Sequence, residues 1–123
     1  MRALAGNDVT LEPQIAAHAT ELYAVLDDPE LYRFTDDKRP ASEPALADRR
    51  RRLESRISAD GTEQWLNWVV RNSGGQLVGY VQATIRPGGE AEIAYVFGRR
   101  HWRNGYAAAA CALLLGELAN AYE

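Results

Sequence analysis

From residue 64 the chain alternates. Trp65, Asn67 and Val69 fall on one face and Leu66, Trp68 and Val70 on the other, a period of two that predicts a strand over Gln64–Arg71. Both faces are mostly apolar, so this strand is expected to be central, with cover on each side. Asn72-Ser73-Gly74-Gly75 reads as a hairpin turn. Beyond it Leu77, Val81 and Ile85 alternate with Tyr80, Gln82 and Thr84. Pro87-Gly88-Gly89 marks a second turn, after which Ile93, Tyr95 and Phe97 oppose Glu92, Ala94 and Val96. Three strands joined by tight turns must be antiparallel neighbours.

Upstream, Val9-Thr10-Leu11-Glu12 is a short alternating strand stopped by Pro13. A helical pattern runs from Gln14, with Ile15, Ala19, Leu22 and Val25/Leu26 on one face, and Asp27-Asp28-Pro29 ends it. His18 lies near that stripe and reads as a packed or half-exposed histidine, since no ligand or triad partner stands at a matching spacing. Residues 30–40, ELYRFTDDKRP, show neither period. Leu31, Tyr32 and Phe34 must cover something there, or their side chains would sit in water. Asp36 and Asp37 suit a substrate cation and are equally ordinary loop residues. Ser42 can cap a second helix, with Glu43 and Pro44 in its first turn and Leu46, Leu53 and Ile57 as its core stripe. The run Arg49-Arg50-Arg51-Arg52 is spread around that helix rather than gathered in one patch. Asp48 with Arg52, and Arg50 with Glu54, stand at i,i+4, so the run reads as a solvated face. The last helix, Tyr106 to Tyr122, is apolar nearly all round, with Glu117 and Asn120 its clearly polar interior residues. Such a helix is normally buried on more than one side. Strand, two helices, antiparallel meander and helix make an α+β sandwich with helices packed on both faces.

Composition narrows the class. A chain of 123 residues has room for one domain, burying about 65% of its unfolded surface. A formal charge of −3 and a pI near 5.4 give no general attraction to nucleic acid. The single cysteine, Cys111, suits a reducing compartment. Residues 1–8 are too short and too weakly apolar for a signal peptide, and no run approaches membrane length. A cytoplasmic protein without membrane, nucleic-acid or metal partners is expected.

The chemistry is concentrated in residues 91–110, AEIAYVFGRRHWRNGYAAAA. The strand breaks at Gly98 into a basic segment, and Gly105 opens a helix without a Ser, Thr or Asp cap. The first N–H groups of that helix are left free, with the positive end of its dipole behind them, which suits a phosphate or pyrophosphate. A dinucleotide fingerprint needs three glycines in G-x-G-x-x-G spacing, and the nucleotide phosphate loop needs Gly-Lys-Ser/Thr. Neither is present. Trp102-Arg103-Asn104-Gly105-Tyr106-Ala107 instead resembles the acetyl-CoA motif of the GNAT N-acetyltransferases, roughly Gln/Arg-x-x-Gly-x-Gly/Ala. An aromatic first position followed by Gly-Tyr-Ala is similar to the ribosomal-protein-alanine (RimJ/RimL-like) branch. EIAYVF resembles that branch's fourth strand, and WLNWVVR with LVGYVQATI its second and third. The resemblance covers essentially the whole chain.

The resemblance implies an acetyl-CoA-dependent transferase acting on a primary amine, of a protein N-terminus or a small molecule, by direct attack on the thioester. It places Arg103, Asn104, Gly105, Tyr106, Ala107 and Ala108 around the pyrophosphate, and the strand at Tyr95, Val96 and Phe97 along the pantetheine arm. Glu92 stands where the branch often has a carboxylate base, and reads equally as an ordinary exposed strand glutamate; Glu90, in the turn, is a weaker alternative for the base. Tyr32 and Phe34 fall in the segment that overlies the acceptor, the other reading being that their rings simply cap the core; a role for Arg49 or Arg52 near the acceptor is the lesser alternative to their solvated face. Ala108 and Ala109 replace the branch's frequent Thr and Glu, and Arg99 a frequent proline. The family continues with another strand, a helix and two closing strands that carry the usual leaving-group acid. Residues 1–123 thus correspond to the N-terminal and central portion of one GNAT domain, completed by a homodimer partner or a further segment. The alternative reading is a non-catalytic CoA-binding or dimerisation module. An unrelated α+β sandwich, with RNGYA merely a helix start, is the third.

Overall fold

The computed structural model describes residues 1–32, 39–102 and 104–121. Phe34, Asp36, Asp37, Arg103 and Tyr122 lie outside these. The elements run β1 (Leu4–Ala5), β2 (Val9–Pro13), α1 (Ala19–Leu26), α2 (Glu43–Leu53), β3 (Gln64–Asn72), β4 (Leu77–Ile85), β5 (Ala91–Phe97) and α3 (Tyr106–Ala121). The strands form one antiparallel sheet in the order β1-β2-β3-β4-β5. β3 is central, as its two apolar faces require. Leu66, Trp68 and Val70 meet Ala110 and Leu114 of α3 on one side. Val69 meets Leu22, Leu26 and Leu46 of α1 and α2 on the other. Gly75, Gly88 and Gly89 adopt the positive φ that the two hairpin turns demand.

Several positions differ from the pattern. β1 is a two-residue strand that the periodicity did not reveal, paired Leu4 to Leu11. Gln14 is not helical. Its N–H donates to Asn67 O at 2.9 Å, prolonging the strand pairing, and α1 starts only after a 3-10 turn over Ala16–His18. Ile15 precedes that turn and is exposed. His18 is half-buried, its Nδ1 accepting from the Ile15 N–H and its Nε2 lying 3.3 Å from Glu12. Ile57 is likewise exposed rather than core, because α2 stops at Leu53 and Arg56, at φ 62°, turns the chain away. Leu77 and Val81 face opposite sides of the sheet. Val70 pairs with Gly79 and Arg71 with Leu77, so Val78 is an extra residue that reverses the phase of β4.

The arginine run also departs from a solvated face. Arg50 is buried, and Arg51 rather than Arg52 pairs with Asp48, at i,i+3 and 2.8 Å. Glu117 is buried too, bridged by Arg2 at 3.1 Å. Leu115, by contrast, is 56% exposed on α3. Ser42 Oγ accepts from the Ala45 N–H at 3.1 Å as the expected cap. Ser42→Ala should therefore cost about 1 kcal/mol, read as a lower urea midpoint at unchanged slope.

Candidate functional site

The site forms where β5 hands over to α3. The Gly98 N–H donates to Val78 O at 3.0 Å. In an antiparallel ladder successive residues point their backbone groups to opposite sides. Val96 therefore directs its N–H and C=O toward β4, while Tyr95 and Phe97 direct theirs outward. Among the described residues β5 pairs with β4 alone, so that outward edge is open. Its last carbonyl, of Phe97, accepts from Trp102 Nε1 at 2.9 Å, which folds the indole back over the strand end.

A 3-10 turn, Arg99–His101, follows. Arg99 Nε donates to Asp28 Oδ2 at 2.7 Å, tying the turn to the end of α1 and holding that carboxyl below the usual carboxylate range. Burial, with Arg100 beside it, pushes the His101 imidazole below its ordinary value. Gly105 takes φ 77°, and no atom lies within 4 Å of where its Cβ would stand. Its carbonyl accepts the first helical bond, from the Ala109 N–H at 3.0 Å. Among the described residues, the N–H groups of Tyr106, Ala107 and Ala108 meet no acceptor. Among the described residues no side chain accepts from them either.

Between the open edge and this helix start lies a cleft of about 570 Å³. It brings together Tyr95, Val96, Phe97, Gly105, Tyr106, Ala107 and Ala108. Leu31, His101 and Trp102 complete its wall. These three were not singled out as site residues, although an apolar Leu31 in a polar loop was the available signal. Asn104 is exposed and does not line the cleft. Glu92 shares a face of β5 with Val96 but stands four residues before it, across from Thr84 and ion-paired with Arg86, and does not line the cleft. Tyr32 lines a separate cavity between α2 and β4, its hydroxyl donating to Leu26 O at 3.0 Å. Arg103 and Phe34 fall outside the described residues. Among the described residues, no three His, Cys, Asp or Glu side chains gather as a metal site, and no helix is long and apolar enough to cross a membrane.

The fold is shared with solved structures. A GNAT-family acetyltransferase from Bacillus anthracis aligns with TM-score 0.74 at 14% identity, over 94% of this chain and 65% of its own. A GnaT-family acetyltransferase from Bordetella pertussis aligns with TM-score 0.73 at 20% identity, over 100% of this chain and 75% of its own. The microcin C7 self-immunity acetyltransferase MccE, solved with acetyl-CoA and AMP, aligns with TM-score 0.68 at 18% identity, over 95% and 66%. The chain thus spans roughly two thirds of the length of these structures. No curated protein sequence matches it. The family model described as an acetyltransferase (GNAT) domain matches residues 8–121, and the chain belongs to that family.

Proposed function

We propose that this domain transfers an acetyl group from acetyl-CoA to a primary amine, of a protein N-terminus or a small molecule, as in the ribosomal-protein-alanine branch. The observation that carries the reading is the cleft with a free strand edge on one side and uncapped helix amides on the other. Acetyl-CoA would supply the activated acyl carbon of its thioester. The amides of Tyr106, Ala107 and Ala108 would hold the pyrophosphate, with Arg103 and Asn104 beside it, and Gly105 keeps the approach clear. The outward groups of Tyr95 and Phe97 would pair with the amides of the pantetheine arm as an added strand. Val96 would contribute its side chain only. Glu92 would accept the amine's proton through water, held in place by Arg86, and as the C–N bond forms the C–S bond would break, CoA leaving as a thiolate that takes a proton from solvent. Tyr32 and Phe34 would flank the acceptor.

Acetyl-CoA added to the purified protein should raise its melting temperature, and an unchanged melting curve would refute the reading. Glu92→Gln should lower kcat by about a hundredfold, the ordinary worth of a positioned base, with donor affinity unchanged in calorimetry. Equal kcat in the two proteins would remove Glu92 from the mechanism. The second reading, a non-catalytic CoA-binding or pairing module, draws on exposed Leu115 and the free β5 edge, where a second copy or a further segment would pack. It predicts donor binding without product and a mass near two chains. The reading places the protein in the cytoplasm.

A further inference from the structure

The cavity between α2 and β4, about 320 Å³, has an unusual wall. Four arginines line it, Arg39, Arg49, Arg50 and Arg52, and among the described residues no carboxylate does. Arg39 is paired with Asp27 at 3.5 Å. The other three have no carboxylate partner among the described residues. Arg50 is the telling one, because it is only 5% exposed. Burying a guanidinium is costly unless a counter-charge or a full set of hydrogen bonds compensates. Arg50 has part of that set. Its Nη1 donates to Gln14 Oε1 at 3.0 Å, and its guanidinium carbon lies 4.7 Å from the centre of the Tyr80 ring. Tyr80 offsets part of the burial cost, but the Nε is buried without an acceptor and Arg49 beside it adds repulsion. A fixed, desolvated guanidinium whose charge is only partly compensated is a receptor for a planar or tetrahedral oxyanion.

The cavity is also placed to serve the acetyl-transfer cleft. Tyr80, under Arg50, pairs across the sheet with Val96, which lines that cleft. The turn over Pro29–Tyr32 supplies Leu31 to one wall and Tyr32 to the other. An amine at the β5 end of the cleft would thus have the arginine cavity as its next neighbour across one strand. We infer that this cavity is the acceptor subsite and that it selects amines bearing a carboxylate or a phosphate, bound by Arg50 with Arg49 and Arg52 at the rim. The inference rests on the acetyltransferase reading above, whose own test is the acetyl-CoA melting shift.

The experiment compares kcat/KM for matched amines with and without an oxyanion: γ-aminobutyrate against butylamine, and O-phosphoethanolamine against ethanolamine. The anionic member of at least one pair should be preferred by about tenfold or more, in KM rather than kcat, the usual worth of a charge-assisted bond. The pair that shows the preference tells carboxylate from phosphate. Arg50→Gln should bring the ratio close to one, and Arg50→Lys should restore part of it. Arg49→Ala combined with Arg52→Ala, both at exposed positions, should lower the ratio in a protein that folds even if Arg50→Gln does not. In all variants that fold the acetyl-CoA melting shift should persist. Turnover with no preference in either pair, or a preference that survives these substitutions, overturns the subsite and leaves the acetyltransferase reading standing. Absence of the acetyl-CoA shift in the wild-type protein overturns both.

Discussion

Gly105→Asp should abolish the acetyl-CoA melting shift while costing the free protein no more than about 1–2 kcal/mol. Gly105 sits at φ 77°, a region that side chains enter at a cost of about 1–2 kcal/mol, with aspartate among the more tolerant residues. Its Cβ would meet open space, so no clash adds to that strain. The new carboxylate would stand beside amides that have no acceptor among the described residues, at the helix start proposed to receive a pyrophosphate. Two like charges about 4 Å apart near a protein surface repel by about 4 kcal/mol. Allowing for screening, donor affinity should fall by more than about a hundredfold. Gly105→Ala separates the two effects, since it carries the strain without the charge and should keep most of the shift. A Gly105→Asp protein that binds acetyl-CoA as well as Gly105→Ala does would show that the pyrophosphate is held elsewhere.

What the sequence made legible is what short-range physics dictates. The meander followed from the alternation of β3 and β5 and from turns whose glycines needed positive φ. The Ser42 cap was readable because capping is decided within four residues, and so was a start of α3 whose first amides meet no acceptor among the described residues. The misreadings share a different origin. Arg50 belongs to a run that helical geometry spreads around the cylinder, and nothing local says which member turns inward. Gln14 and Tyr80, its actual neighbours, lie 36 and 30 residues away. The reversal of phase at Val78 is equally silent, because a bulge keeps the apolar count of β4 while moving Leu77 to the other face. Ile15 and Ile57 flank helices that stop short of them. In the site, the helix start was visible as a motif. Its opposite wall at Leu31 comes from a distant segment, where an apolar side chain in a polar loop says that something is covered but not what.

Gly79→Val should be the most damaging single change in the sheet, and its failure would show in the site. Gly79 lies opposite Phe97, the last residue of β5. A Cβ built there would come 2.2 Å from Val96 O and 2.9 Å from the Phe97 Cα. Both are backbone atoms, so no rotamer change relieves the contact, and β5 must move away from β4. Overpacking of this kind usually costs 1–3 kcal/mol and occasionally more. Because a strand has to shift, the upper end, about 3 kcal/mol, is expected, or a fall of about 10 °C in the melting midpoint for a domain of this size. The same displacement would move Tyr95 and Phe97, whose outward groups form one wall of the cleft. Acetyl-CoA should then stabilise the variant less than it stabilises wild type, an effect that lost stability alone would not produce, since a ligand confined to the native state adds a term set by its own affinity. Gly98→Ala is the natural contrast. Its Cβ would meet the His101 ring carbon at 3.3 Å and the Val25 Cγ1 at 3.4 Å, side-chain contacts that can yield. If Gly79→Val melts with wild type, the tight approach of β4 to β5 is not what sets the geometry of the cleft. If it melts low and still takes up acetyl-CoA with undiminished affinity, the strand edge at Tyr95 and Phe97 is not where the pantetheine arm lies.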